Sequence, residues 1–283
     1  PGTATVTVNV TVGQRVWYVR DVVDLNNAAG GDGRSTNAFD SIAAFNAATT
    51  NNGDIIFVFR GNTGTTALSG GFTLKDGLKL WGEGIGLTIS GFGTLVPAGS
   101  QPRINNTGGD AVSVPATAGS RLNVEIRGLD LAGSGNAVDV TASGANVVSV
   151  TITDNTVSSA GLEGIDLNAG STGAFTATVS NDAVAATGNG IDARTSAATT
   201  LTLGISNNAV SSGASGIYVD GSGGGTTTIT GFANNAIGQN NVGNGIVVAT
   251  AKFDATPGGG YDTVSGGTTV VGVPGNGVGA NGL

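Results

Sequence analysis

Three stretches of the chain repeat one pattern: Thr151-Ile152-Thr153-Asp154-Asn155-Thr156-Val157, Thr178-Val179-Ser180-Asn181-Asp182-Ala183-Val184 and Gly204-Ile205-Ser206-Asn207-Asn208-Ala209-Val210. Aligned on one another, they define an apolar column Ile126, Ile152, Val179, Ile205, Phe232 with spacings of 26, 27, 26 and 27 residues. A second column, Leu131, Val157, Val184, Val210, Ile237, keeps step with it, and a third runs Val138, Ile165, Ile191, Ile217, Ile246. Each member of the third follows a small residue (Ala137, Gly164, Gly190, Gly216, Gly245), which marks a tight corner at a fixed place. Within each unit the apolar residues are β-branched and alternate over three to five positions, the signature of short strands and not of helix. Three strands per unit, separated by Gly, Asn and Ser turns, predict one coil of a solenoid. The fold class is therefore all-β, a parallel β-helix with coils of about 26–27 residues. No hexapeptide period marks a left-handed form, and the crossover rule selects the right-handed path.

Outside the repeats the first half reads as a starter segment. Val16-Trp17-Tyr18-Val19 is a strand and Gly30-Gly31-Asp32-Gly33-Arg34-Ser35 a turn. Asp40 to Ala48 has helical spacing, with Ile42 and Phe45 on one face and Asp40 as the expected N-cap, and forms one short capping helix. Ile55-Ile56-Phe57-Val58-Phe59 is an apolar run that predicts a strand buried on both faces. Leu74 to Gly84 is an early coil turning at Asp76-Gly77. Trp17 and Trp81 both fall in this half, where covering the core is their expected work. The expected division is residues 1–14 as an extended strand or linker and 15–283 as a single β-helix domain.

Composition narrows the chemistry. Among 283 residues there are 51 Gly but no Cys, Met or His, so thiolate chemistry, imidazole metal sites and His-based triads are excluded. Eleven Lys and Arg against 19 Asp and Glu give a net charge of −8, which repels phosphate backbones and anionic lipid, so nucleic acid is not an expected partner. No run of 18 apolar residues predicts a membrane span. Without Met, Pro1 is expected to open a processed product or an internal fragment.

The strand Val16 to Val19, the Gly31-Asp32-Gly33 turn, the Ala38-Phe39 helix entry, Gly53-Asp54-Ile55-Ile56 and Leu78-Lys79-Leu80-Trp81-Gly82-Glu83-Gly84 together resemble the right-handed β-helix, or pectin-lyase-like, regions of large secreted bacterial surface proteins. The resemblance covers roughly residues 15 to 270 and implies an extracellular, cell-surface location. It speaks for fold more than for function, because this fold carries lyases, hydrolases, adhesins and inert stalks. The family's hydrolases combine clustered Asp with Gly-His-Gly and Arg-x-Lys, both missing here. Its lyases carry Arg-x-Pro-x-x-Arg beside a calcium site, and Gln101-Pro102-Arg103 does not match. On that basis no catalytic or cofactor-binding residue is assigned and the chain is expected not to be an enzyme.

Two polar columns remain. Asp139, Asp166 and Asp192 each follow an inward apolar residue and are expected to point outward, where stacked carboxylates repel. Their charge is relieved by solvent, salt and Arg194, or by a cation such as calcium, for which these three are the candidate ligands. Asn155, Asp182, Asn208 and Asn235 form a turn column expected to be a structural ladder. Ile191 is read as inward and Thr195 as outward. Finally, Val6, Val8, Val10 and Val12 alternate with polar residues to give a strand with one apolar side, the expected assembly interface, while Pro274 to Gly279 end in an open coil. The leading expectation is thus a non-enzymatic extracellular structural protein joining head to tail into a homopolymeric filament. The alternatives are a stalk or adhesin domain beside other domains of a larger surface protein, with polysaccharide as a partner, or a polysaccharide lyase or hydrolase.

Overall fold

In the computed structural model the described residues are 14–21, 30–61, 67–196, 198–238, 245–249, 251–253, 263–264 and 270–272. The expected interface residues Val6, Val8, Val10 and Val12, and the open coil at Pro274 to Gly279, lie outside them.

The alternating β-branched segments pair coil to coil as all-β parallel sheets, a solenoid of about seven turns consistent with the right-handed path. The first sheet runs Val16–Val19, Ile55–Val58, Lys79–Gly82, Arg121–Arg127, Val148–Thr153, Ala174–Ser180, Thr200–Ser206, Thr226–Ala233 and Ala251–Phe253. The second runs from Leu68–Ser69 through Arg103–Asn106, Asp130–Gly133, Thr156–Ala160, Ala183–Ala186, Ala209–Ser212 and Ala236–Ile237 to Thr263–Val264. The third runs from Phe72–Thr73 through Val112–Ala116, Val138–Gly144, Ile165–Ser171, Ile191–Thr195, Ile217–Asp220 and Ile246–Ala249 to Val270–Gly272. All three predicted columns are register columns: Ile152 pairs with Val179, Val157 with Val184, and Ile165 with Ile191. Their side chains, one above another at about 4.8 Å, fill a single core along the axis.

Two kinds of corner close each coil. Between the first and second sheets, Asp154, Asn181, Asn207 and Asn234 adopt left-handed backbone with φ of 58–59°, a conformation Asn and Asp tolerate best among residues with a side chain. The residue after each is buried: Asn155, Asp182, Asn208, Asn235. The expected ladder is present, each member's side-chain oxygen accepting from a backbone N–H of the coil before, as Asn155 N to Asp182 Oδ1 at 2.8 Å and Asp182 N to Asn208 Oδ1 at 3.0 Å. Between the second and third sheets the small residue is required by close approach, not by φ. A Cβ on Gly190 would stand 2.1 Å from Val210 Cγ1 and 2.6 Å from the Gly216 carbonyl oxygen.

The starter half caps the core. Ile42–Asn46 is the short helix, with Ile42 and Phe45 buried. Its N-cap is Ser41, whose Oγ accepts from Ala44 N, and not Asp40, which instead accepts from Gly30 N at 2.7 Å across the neighbouring turn. Phe45 of the helix meets Phe39 edge to face and Phe72 at a tilt, and Trp17 stacks on Phe39 with ring centroids 5.8 Å apart. Ile55–Val58 is buried on both faces, as expected: Ile56 and Val58 join the axial core, while Ile55 and Phe57 pack outside with Leu87 and Trp81. That outer cover comes from an antiparallel hairpin, Leu87–Ile89 with Gly93–Val96.

Candidate functional site

The richest concentration of titratable groups lies on the outer face of the third sheet. Period-two alternation sends Val138, Val140, Ile165, Leu167, Ile191 and Ala193 into the core and the residues between them outward. Register then stacks Ser113, Asp139, Asp166, Asp192 and Tyr218 in one outward column, and Pro115, Thr141, Asn168, Arg194 and Asp220 in the next. The structure therefore brings the three candidate Asp residues together.

It does not expose them alike. Asp139 and Asp166 are half-buried, whereas Asp192, outward in the register as expected, has no solvent-exposed surface, so it is Arg194 and not solvent that meets its charge. Asn189 Nδ2 donates to Asp192 Oδ2, and the Arg194 guanidinium closes over the same oxygen while resting 5.1 Å from the Tyr218 ring. Thr195, read as outward, is buried. It shares parity with Ile191 and continues the inward column Ala142, Ala169.

A third polar column at the corner escaped the sequence reading. Asp110, Asn136, Glu163, Asn189 and Ser215 each stand two residues before an inward member of the third column, and that fixed offset was the available signal. Asp110 Oδ1 accepts from Asn136 N at 2.7 Å, Asn136 Oδ1 from Glu163 N at 3.0 Å, and Asn189 Oδ1 from Ser215 N at 2.9 Å. With their oxygens so engaged, the amides aim their NH2 groups at the carboxylate column, Asn136 Nδ2 reaching Asp166 Oδ2 at 3.4 Å.

Burial and mutual repulsion separate the three carboxyls. Burial, then the charges of Asp192, Asp139 and Glu163, push Asp166 up to about 7, with Arg194 pulling the other way. Asp139 is raised by burial and by Asp110, against a hydrogen bond donated by the Thr141 hydroxyl at 2.9 Å. Asp192 is raised by burial in spite of Arg194 and Asn189, and Arg194 is raised in turn by its bond to Asp192. Asp220 is partly buried, which pushes it up, but its bonds from Ser222 hold it below the usual carboxylate range. Among the described residues no group of three or more carboxylates is arranged to hold a metal ion.

No family model and no curated protein matches this chain. Among solved structures it is similar to the crystal structure of a GH136 lacto-N-biosidase from Eubacterium ramulus, at 10% identity and a TM-score of 0.26, over 92% of this chain and 68% of that one. That neighbour is a glycoside hydrolase with a β-helix, and the expectation of a non-enzymatic structural protein is corrected accordingly. That expectation leans on the missing His and basic motifs, yet glycosidic hydrolysis by paired carboxylates requires neither. So distant a likeness assigns no activity, and the chemistry must be argued from this chain's own residues.

Proposed function

We propose that the outer face of the third sheet hydrolyses glycosidic bonds of a neutral glycan, with Asp166 as general acid and Asp139 as its partner carboxylate. The observation that carries this reading is a pair of carboxyls stacked in register with unlike surroundings: burial and neighbouring charge push Asp166 up to about 7, while Asp139, also raised by burial, has the Thr141 hydroxyl donating to it and favouring its anion. Neighbouring coils stand about 4.8 Å apart, close to the separation of about 5–5.5 Å at which retaining enzymes work. Asp166 donates its proton to the leaving oxygen as that C–O bond breaks, and Asp139 forms an ester with the anomeric carbon. Water then attacks that carbon while Asp166 takes its proton, and the ester bond to Asp139 breaks.

Charge selects the substrate class. Asp110, Glu163 and the Asp column give the face a negative field, and Arg194 is already engaged by Asp192. Uronate polymers are repelled, and neutral sugars are not. The reading keeps the extracellular, cell-surface location implied by the resemblance to secreted bacterial surface proteins.

The test is release of reducing ends from a panel of neutral oligosaccharides and polysaccharides between pH 5 and 8. Asp166→Asn and Asp139→Asn should each lower the rate by about 10²–10⁴-fold while leaving the circular dichroism spectrum unchanged. No release from any panel member, or unchanged rates in both variants, overturns the reading.

A further inference from the structure

The buried corner ladder contains one member of the wrong chemistry. In Asn155, Asn208 and Asn235 the amide NH2 donates to a backbone carbonyl of the preceding coil: Asn155 Nδ2 to Ile126 O at 3.0 Å, Asn208 Nδ2 to Val179 O at 3.1 Å, and Asn235 Nδ2 to Ile205 O at 3.0 Å. Those acceptors belong to one register column, Ile126, Ile152, Val179, Ile205. The member of that column that falls to Asp182 is Ile152 O. Asp182 Oδ1 is occupied, accepting from both Asn155 N at 2.8 Å and Asn155 Nδ2 at 3.0 Å. The atom in the donor's place is therefore Oδ2, buried and with no hydrogen-bond partner. As a carboxylate it has nothing to donate, and an anion facing a carbonyl oxygen away from water is costly.

We propose that Asp182 is a proton-operated lock, neutral in the folded chain, with its Oδ2–H donated to the Ile152 carbonyl, and that losing this proton to solvent loosens the stack at this coil. Protonation turns the carboxyl into an isostere of the neighbouring amides, with one donor in the place where they donate. The environment agrees: burial pushes Asp182 up to about 7 and the Asp154 charge adds to it, against the bonds that Asn155 donates from its backbone and side chain. Asp154, in the turn of the preceding coil, is the titratable group facing it, and its own partner is Arg127 at 3.8 Å. The flanking Asn155, Asn181, Asn207 and Asn208 carry no charge. Ladder chemistry alone carries this inference, whatever the third-sheet face does.

The sign follows from linkage. In the unfolded chain Asp182 ionises near about 3.9, so below that pH the group is neutral in both states. Between there and about 7 the unfolded state releases its proton and the folded state does not, so the folding equilibrium falls about tenfold per pH unit, about a thousandfold in all, and then levels off. Chemical unfolding of wild type and Asp182→Asn at half-unit steps from pH 4 to 8 should show the variant gaining on wild type by that factor, with no further gain above pH 7. A constant difference, or one that widens toward acid, overturns the proposal. Should Asp182→Asn not fold, carboxyl ¹³C titration with the Asp182 resonance assigned decides: a midpoint near 7 for Asp182 supports the lock, and a midpoint below about 5 overturns it.

Discussion

Two polar ladders run up this solenoid on different faces. The corner ladder of Asn155, Asp182, Asn208 and Asn235 and the outer ladder of Asp139, Asp166 and Asp192 have the same spacing, because both inherit it from sheet register. In the corner, the amides carry donor and acceptor on one side chain, so Asn208 donates to Asn235 Oδ1 and the three amides are buried without charge. On the face, carboxylates carry acceptors only, so each new member adds repulsion, and the column draws on Asn136, Asn189, Thr141 and Arg194 for donors. Stacking is therefore a scaffold in one place and a means of raising a carboxyl's proton affinity in the other. Asp182 is the member in which the second chemistry enters the first environment.

The comparison rests first on the inward and outward assignment, and the largest effect should come from violating it. Ile191→Asp buries a charge between coils and should cost about 3–5 kcal/mol, while Thr178→Asp, on an exposed outward position of the first sheet, should stay within about 0.5 kcal/mol. Denaturant midpoints check this, and similar losses for the two would break the distinction between core and face.

Next, Asn208→Asp places a carboxylate directly after Asp182 and removes the amide bonds to Val179 O and Asn235 Oδ1. A loss of about 3 kcal/mol is expected at pH 8 and less at pH 5, where the new carboxyl is protonated and donates again. A pH-independent loss would mean that the ladder is insensitive to charge.

Gly190→Ala attacks the corner that sets the height of the outer ladder. Its Cβ collides with Val210 Cγ1 and the Gly216 carbonyl, and overpacking of this kind costs about 1–3 kcal/mol. Gly204→Ala, whose Cβ would sit 3.9 Å from Thr178 Oγ1, serves as the contrast and should be close to neutral in a thermal melt.

The smallest effect sharpens the outer ladder alone. Arg194→Ala removes the positive charge that lowers Asp166, so the alkaline limb of the activity profile, or the Asp166 titration followed by NMR, should move to higher pH. Asp192→Asn should move it lower. No movement in either variant would show that the stacked charges do not feel one another.

Most of the fold was legible because a solenoid writes its tertiary contacts into its sequence period. Residues 26 or 27 apart are neighbours in space, so the stacking of Ile152 on Ile126 and of Val157 on Leu131 follows from the period alone. The turn ladder was legible for the same reason, since an Asn or Asp recurs at one phase of the period. The Asp column was legible as a column, and its proximity to Arg194 was as well. The N-cap was misplaced by one residue because Asp40 and Ser41 are both good caps, and Asp40 is claimed by Gly30 across the turn, a contact between segments outside the repeats.

By itself the sequence determined which residues share a height and a face, because period and alternation are one-dimensional facts that parallel stacking carries directly into space. Only the tertiary structure decided how wet each of those residues is and what its free atoms meet. Asp166 and Asp192 follow Ile165 and Ile191 at the same phase, yet one is half-buried and pushed up to about 7 by burial and like charge, while the other is sealed beneath Arg194 and Asn189, whose bonds oppose the rise that burial causes. Protonation depends on dielectric and on the distance to neighbouring charge, and both are set by side chains arriving from other columns and other coils.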